Sequence, residues 1–314
     1  MVVKRVVSRL SPARIEAAAR TIDPVFLNTP AVAFDPLSRE LGVDVTLKIE
    51  TLNPIRSFKG RGTEFFVATL DDPAPLVAAS AGNFGQGLAR AAVKRGRAIT
   101  IFAAETANPL KIARMRELGA EVILVGNDFD AAKGEARRFA ERNNFRYVED
   151  GREPAISEGA GTIAMELGAF DAVVVPVGNG ALINGMGTWM RHAHPATRVI
   201  GVCAAGAPAM RISWQTGTVQ ITETAHTIAD GIAVRLPVPE ALEDMRFTVD
   251  DIVLVTDEDI RQAMRLVLDH AGLVSEPAGA AGVAALIAHP ARFAGKRLAI
   301  PICGSNVLGF PPDV

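Results

Sequence analysis

A lysine beside two glycines is the first feature of this chain that suggests chemistry. Lys59 follows an apolar run at residues 45–49 and is itself followed by Gly60 and Gly62. We predict a turn at Lys59 and a helix over residues 63–70, with glycines that let the backbone pass close to a bound group. A desolvated lysine has a lowered pKa and becomes a free amine that can form a Schiff base. The segment alone fits an ordinary surface lysine equally well.

A second segment with closely spaced glycines, residues 80–87, reads Ser-Ala-Gly-Asn-Phe-Gly-Gln-Gly. We predict that it joins a strand ending at Ala79 to a helix beginning near Gly87. The N-terminus of a helix offers free N–H groups to an anion, and the helix dipole favours negative charge. The segment has no lysine and no Walker spacing, so a carboxylate fits better than a nucleoside triphosphate. A tight turn in which the glycines serve packing alone is the alternative.

A third segment, Pro-Val-Gly-Asn-Gly-Ala-Leu-Ile at residues 176–183, again follows an apolar run and precedes a helical pattern. A strand, a glycine-rich turn and a helix together can hold a phosphate. Ile183 stands where a dinucleotide fingerprint has its third glycine, and no acidic residue ends the next predicted strand. A single phosphate is therefore favoured over NAD.

Two further segments carry polar residues at predicted strand ends. Glu276 stands immediately before a run of small residues that is typical of a buried helix, and Cys303 ends an apolar run near the C-terminus. Each segment taken singly is a generic junction between a strand and a helix.

These segments share one position in the predicted architecture. Short β-branched runs without polar alternation indicate strands covered on both faces, and amphipathic segments between them indicate helices, so we predict an α/β fold of doubly wound, mostly parallel sheets. Ligands of such sheets lie at the carboxyl ends of the strands, which is where all five segments fall. The predicted strands are 45–49, 75–79, 98–103, 121–125, 172–177, 198–202, 251–255 and 297–302, and the clearest helices are 87–95, 110–119, 129–142, 157–167 and 257–270.

We expect two domains with a cleft between them. Residues 71–150 form a small inserted domain with three strands and their helices, and it carries the 80–84 loop. Residues 1–70 and 151–314 form the larger domain. A chain of 314 residues is long enough for two cores of ordinary size.

Composition excludes several classes of partner. The formal net charge is −2 and no basic face stands out, so we expect no nucleic acid. The apolar runs are too short to span a bilayer, and the first ten residues lack the apolar core of a signal peptide. Cys203 and Cys303 are too far apart in sequence for a metal or redox motif, which favours free thiols and a cytoplasmic protein.

Taken together, the segments resemble the fold type II pyridoxal-phosphate (PLP) enzymes, and among them the serine/threonine dehydratase and serine racemase group. The resemblance covers about residues 27–307, with the motifs in the family's order. It implies the tryptophan synthase beta-like fold and PLP as cofactor. The motifs are Ser57-Phe58-Lys59 for the cofactor lysine, residues 80–83 for the substrate carboxylate, 178–182 for the phosphate, and the segments 227–231 and 276–279.

The resemblance also assigns roles. Lys59 would form the Schiff base and later act as general base at Cα, Phe58 would pack against the pyridine ring, and Asn83 would hydrogen-bond the 3′-oxygen. Cys303, where the family usually has serine, would face the ring nitrogen as a neutral partner suited to β-elimination. Glu276 would lie in the cofactor site. The phosphate would be held by Gly178, Asn179, Gly180, Ala181 and Leu182, and the substrate carboxylate by Ser80, Ala81, Gly82, Asn83 and Phe84.

Four departures from the family's pattern bear on the reaction. Ala81 replaces the serine that racemases of this group use as a second acid/base, so we expect little racemisation. Phe84 stands where many dehydratases have histidine, and Arg56 where glycine is usual; we expect Arg56 to be a solvated loop cation. Residues 203–209 contain no Asp or Glu, so we expect no divalent metal site there.

The resemblance implies a PLP-dependent dehydratase, or ammonia-lyase, that acts on L-threonine or L-serine. Alternatives within this chemistry are a dehydratase of phenylserine or hydroxyaspartate and a β-replacement synthase. A catalytically inactive ligand-binding protein of the same fold is the alternative outside it. By family analogy we expect a homodimer, and no regulatory domain after Val314.

Overall fold

The computed structural model describes residues 8–307. Most of the N-terminal segment considered for a signal peptide, and the end of the chain at Val314, lie outside this range. The strands are β1 Ala31–Ala33, β2 Asp44–Ile49, β3 Leu76–Ala79, β4 Ile99–Ala103, β5 Glu121–Leu124, β6 Arg146–Val148, β7 Ala172–Pro176, β8 Arg198–Ala204, β9 Asp251–Val255 and β10 Arg297–Ile302.

The helices fill the intervals between the strands. They are α1 Pro12–Thr21, α2 Asp35–Leu41, α3 Lys59–Ala68, α4 Asn83–Lys94, α5 Pro109–Glu117, α6 Phe129–Asn143, α7 Pro154–Met165, α8 Ala181–Ala193, α9 Ala209–Thr216, α10 Pro239–Thr248, α11 Asp257–Ala271, α12 Pro277–Ala288 and α13 Pro290–Phe293.

The larger sheet has six strands in the order β1-β2-β10-β7-β8-β9. Every neighbouring pair is parallel except β1 and β2, which are antiparallel. All five residues of β7 are buried, as expected for a strand covered by helices on both faces. We did not predict β1, because a strand of three residues with two exposed alanines carries no apolar signal.

The smaller sheet has four parallel strands in the order β5-β4-β3-β6. We expected three strands in this part of the chain, so that prediction was wrong. The missing strand is β6, a run of three residues that begins with Arg146 and is only partly buried. Such a run is too short and too polar to be distinguished from a loop by its pattern.

The two mostly parallel sheets confirm the predicted fold class. All four strands of the smaller sheet come from residues 76–148, and strands before and after them build the larger one. The exact domain boundaries at residues 70/71 and 150/151 stay a prediction.

Candidate active site

Lys59 is the first residue of α3 and does not lie in the predicted turn. Its Nζ donates to Oδ2 of Asp150 at 2.5 Å and lies 4.7 Å from the ring centre of Phe58 and 5.9 Å from that of Phe84. The side chain is 16% exposed. A partly desolvated amine is therefore held beside one charged partner and two aromatic rings.

The glycines that follow Lys59 serve packing, whereas we had expected them to line a ligand site. Both lie inside α3 and are buried. A Cβ on Gly60 would overlap the ring of Phe26, and a Cβ on Gly62 would overlap the backbone oxygen of Ile156 in α7. These glycines allow two neighbouring elements to approach α3 closely, and so they fix where the helix places Lys59.

The segment just before Lys59 is hydrogen-bonded to the residue that follows β10. The N–H of Phe58 donates to the carbonyl of Cys303 at 3.1 Å, and Ser57 donates to the same oxygen through its hydroxyl at 3.2 Å. Phe58 and Cys303 share a buried apolar cluster with Leu182 at the start of α8. Burial raises the pKa of the Cys303 thiol, with a further contribution from Glu276, so the group is a neutral thiol.

The 80–84 loop joins the end of β3 to α4. The helix begins at Asn83 and not near Gly87, so our predicted start was four residues late. The hydroxyl oxygen of Ser80 accepts hydrogen bonds from the N–H groups of Gly82 at 3.2 Å and Gly85 at 2.9 Å. Among residues 8–307, none accepts from the N–H groups of Ala81, Asn83 or Phe84. Three free donors at a helix N-terminus suit a carboxylate.

The 178–183 loop joins the end of β7 to α8. None of the six N–H groups of residues 178 to 183 has an acceptor within the described part of the chain. Gly180 has a φ of +89°, a left-handed conformation that favours glycine, and a Cβ on Gly178 would lie 2.6 Å from the carbonyl oxygen of Gly231. The loop is a closely packed turn whose donors remain open, which is the chemistry that a phosphate requires.

A buried network of side chains links α4 to the larger sheet. The amide nitrogen of Asn83 donates to Oε1 of Glu276 at 2.6 Å, and its oxygen accepts from the amide of Asn306 at 2.8 Å. Glu276 is 3% exposed and directly precedes α12. Burial raises the pKa of its carboxyl to about 7, against the opposing effect of Lys111. The network leaves one N–H of the Asn83 amide for a ligand.

Three residues of the site were not assigned a role from the sequence. Asp150 follows β6, the strand that we missed, and contacts Lys59. Lys111, which is buried in α5, pairs with Asp230 and lies beside Gly82 of the 80–84 loop. Neither Asp150 nor Lys111 lies in a glycine-rich motif, so their spacing in the sequence did not indicate a role in the site. Asn306 lies in the segment that ends β10, but only the fold shows its contact with Asn83.

The residues that depart from the family's pattern differ in their surroundings. Phe84 is 7% exposed and faces Lys59, whereas Ala81 has no group that could move a proton. Arg56 has a φ of +49°, which explains why glycine suits this position, and its side chain is exposed.

Side chains that could ligate a metal ion are dispersed in this fold. Within the described residues, no cluster of three or more His, Cys, Asp or Glu side chains is placed to hold a metal ion. None of the helices in that range is long and apolar enough to cross a membrane.

The donors and acceptors of the site fit PLP. The open N–H groups of the 178–183 loop match its phosphate, the amine of Lys59 can bond its aldehyde, and the Asn83 amide can reach an oxygen on its ring. The apolar cluster around Phe58 and the neutral Cys303 thiol suit an uncharged aromatic ring.

Comparison with known proteins agrees with this geometry. Residues 22–304 match the family described as pyridoxal-phosphate dependent enzyme. The chain is 38% identical over 300 residues to the L-threonine ammonia-lyase of Thermotoga maritima, in an alignment that covers 93% of this chain and 75% of that one. It is 35% identical over 302 residues to the phenylserine dehydratase of Ralstonia pickettii, covering 94% and 90% of the two chains.

A solved structure shows the same architecture. The threonine deaminase of T.th. superposes with a TM-score of 0.89 at 31% identity, and the match covers 96% of this chain and 100% of that one.

Proposed function

The chain belongs to the family of pyridoxal-phosphate dependent enzymes, and we propose that it is a dehydratase that converts L-threonine or L-serine to a 2-oxo acid and ammonia. The observation that carries the proposal is the position of the Lys59 amine. This amine lies near Phe84 of the 80–84 loop and bonds the carboxylate of Asp150. The next residue, Gly151, packs on Asn179 of the 178–183 loop, so the amine is near both loops.

The cofactor, when bound, withdraws electrons from the substrate's Cα and so makes its proton acidic. The N–H groups of Gly178, Asn179, Gly180, Ala181 and Leu182 would hold its phosphate. Phe58 would pack on its ring, while Asn83 and Cys303 would contact the ring's polar atoms, with Glu276 behind Asn83.

The substrate carboxylate would bind the free N–H groups of Ala81, Asn83 and Phe84 at the positive end of α4. This contact fixes Cα beside Lys59, which would remove the α-proton as general base. Ser80 shapes the loop through its hydrogen bonds to Gly82 and Gly85. Because Ala81 cannot return a proton to the opposite face, elimination should exceed racemisation.

Loss of the β-hydroxyl requires a proton, and Lys59 carries one after it has acted on Cα. The hydroxyl would leave as water. The remaining unsaturated amine tautomerises and hydrolyses to the 2-oxo acid and ammonia.

Phenylserine is the second candidate substrate. The Ralstonia pickettii relative named phenylserine dehydratase matches nearly the whole chain. The aromatic ring of Phe84 lies 5.9 Å from the Lys59 amine, where it would pack on a phenyl group of the substrate.

Steady-state production of 2-oxo acid from a panel of L-threonine, L-serine, phenylserine and 3-hydroxyaspartate tests the proposal. We expect kcat/KM to be highest for threonine or serine. A highest value for phenylserine or hydroxyaspartate would replace the first candidate, and no turnover of any of the four would overturn the dehydratase proposal.

We also propose a cytoplasmic homodimer. Both cysteines are buried and free, which suits a reducing compartment. The dimer rests on the family resemblance, and sedimentation equilibrium tests it.

A further inference from the structure

A buried carboxylate beside Lys59 is not explained by holding the cofactor. Asp150 is 9% exposed. Its Oδ2 accepts from Nζ of Lys59 at 2.5 Å, whereas its Oδ1 is buried and has no hydrogen-bond partner within residues 8–307. A buried carboxylate oxygen without a partner is costly, so Oδ1 is an acceptor that a donor from a ligand would satisfy.

The surroundings of Asp150 restrict where in the site a ligand group that donates to its Oδ1 can lie. Gly151 has a φ of +83°, and a Cβ at this position would overlap the carbonyl oxygen of Asn179. The turn formed by Asp150 and Gly151, here the Asp150 turn, therefore packs directly on the 178–183 loop. A group that bonds Asp150 is therefore near both the amine of Lys59 and that loop.

The adjacent carboxylate, Glu149, interacts with other side chains. Glu149 is buried and pairs with Lys133 and Arg137, and hydrogen bonds from these two cations hold the pKa of its carboxyl low in spite of burial. Asp150 is thus the carboxylate of this strand end that faces Lys59.

We propose that Asp150 is a catalytic residue that recognises the β-hydroxyl of the substrate. Its Oδ1 accepts a hydrogen bond from that hydroxyl, and its Oδ2 accepts from Lys59 when the amine carries the proton taken from Cα. This inference rests on the proposed dehydratase function. It gives Asp150 the role of recognising the leaving group, which is the β-hydroxyl.

The step conserves atoms and electrons. The Cα–H bond breaks and its proton goes to Nζ of Lys59. The electron pair left on Cα forms the Cα–Cβ double bond as the Cβ–O bond breaks, and the departing hydroxide takes the proton from Nζ and leaves as water. Asp150 gains and loses no proton, since it orients the hydroxyl and the ammonium toward each other.

Selectivity follows from the same contact. An amino acid without a β-hydroxyl would bury Oδ1 without a donor, and sites built around a polar group reject analogues that lack it. Amino acids with a plain alkyl side chain should therefore bind less well than their β-hydroxy counterparts of the same size.

Equilibrium binding of two unreactive ligands tests the contact apart from turnover. α-Methyl-L-serine and 2-aminoisobutyrate differ by one hydroxyl, and neither has an α-proton for Lys59 to remove. Titration of the holoenzyme's visible absorbance gives both dissociation constants. We expect the wild type to bind α-methyl-L-serine about tenfold more tightly, as a hydrogen bond to a charged group predicts.

The variant Asp150→Ala should reduce this tenfold preference to about one, while its affinity for 2-aminoisobutyrate stays within about twofold. Asp150→Asn, which keeps size and removes charge, should lower kcat/KM for the best β-hydroxy substrate by about 100-fold. Asp150→Glu keeps the charge and should recover part of the preference. Glu149→Gln is the matched control, because this neighbour pairs with Lys133 and Arg137, and it should keep the full preference.

Two results would overturn the inference. One is a wild-type preference near one, which needs no variant to fold. The other is a preference unchanged in Asp150→Ala, or an equal loss of affinity for both ligands, which indicates a structural role. A preference that depends on Asp150 in an enzyme that turns over none of the β-hydroxy amino acids would support the contact and overturn the dehydratase proposal instead.

Discussion

The 178–183 loop and the Asp150 turn end strands of different sheets and pack against each other, yet they offer a ligand opposite chemistry. The loop presents backbone N–H groups, and none of those six groups has an acceptor within the described residues. The turn presents a side-chain carboxylate, one oxygen of which has no hydrogen-bond partner among residues 8–307. The two elements therefore differ in the groups that they offer, backbone donors in the loop and a side-chain acceptor in the turn. We propose that the donors bind the phosphate and that the acceptor recognises the variable part of the substrate.

The largest effect should come from separating the two elements. Gly151→Ala places a Cβ against the carbonyl of Asn179 and forces a non-glycine residue into a φ of +83°. We expect both cofactor affinity and kcat/KM to fall by about 100-fold, since backbone atoms cannot move aside cheaply. Fluorescence titration with PLP and steady-state assays measure the two quantities. A loss of only one of them would mean that the turn and the loop act independently.

A somewhat smaller effect should follow from a change in the loop alone. Gly180→Ala strains a residue with a φ of +89° and should weaken PLP binding by about tenfold through displaced N–H groups. Gly217→Ala is the matched control, because Gly217 has a φ of +72° at the end of α9, away from the loop. Equal PLP dissociation constants for the two variants would contradict a backbone site for the phosphate.

A glycine that follows Lys59 can be compared with the glycines of the 178–183 loop, because we assign it a role in packing and not in ligand binding. Gly62→Ala should cost about 1–3 kcal/mol in the free energy of unfolding, because its Cβ meets the backbone of α7. PLP affinity of the folded protein should not change. Urea unfolding measures the first quantity and PLP titration the second.

The control for this variant is Gly134→Ala. Gly134 lies inside α6, where the nearest atom to an added Cβ is 3.6 Å away, so alanine should stabilise the helix by about 0.5–1 kcal/mol. A Gly62→Ala protein that is fully stable but fails to bind PLP would show that the glycines of α3 do line a ligand site.

The smallest effect should be a dependence on pH, which side chains can have and backbone groups cannot. Burial raises the pKa of Glu276 to about 7, above its ordinary value of 4.5. The folded protein therefore binds a proton more tightly than the unfolded chain, and this stabilising effect is lost as pH rises from about 4.5 through about 7. The slope is at most about 1.4 kcal/mol per pH unit.

The measurement compares the wild type with Glu276→Gln. Their difference in unfolding free energy should change across this pH window, to the disadvantage of the wild type at the upper end. A difference that is constant from about pH 4.5 to about pH 7 would mean that the carboxyl is not desolvated as the structure indicates.

The contrast between the 178–183 loop and the Asp150 turn also shows which parts of the site could be predicted from the sequence. Long apolar strands such as β7 and β10 carry a clear signal, and a strand, a glycine-rich turn and a helix follow each other locally in the 178–183 loop. Asp150 depends on β6, a three-residue strand that is defined by its pairing with β3 and not by its own composition. Contacts of this kind exist only after residues distant in sequence have come together.

Glycine occurs in two different surroundings: the packing role of Gly60 and Gly62 was not expected, and the phosphate role of the 178–183 loop stays a prediction. In the 178–183 loop it accompanies open N–H groups, whereas Gly60 and Gly62 admit Phe26 and α7. The sequence pattern is the same in both cases. The partners that fill the space beside each glycine lie elsewhere in the chain and decide its role.

The central claim is a covalent bond between PLP and Lys59, and borohydride reduction of the holoenzyme followed by peptide mapping by mass spectrometry tests it most directly. We expect one pyridoxyl-modified peptide that contains Lys59, and no label in the Lys59→Ala variant. A label on Lys111 or another lysine, or no label in protein saturated with PLP, would contradict it.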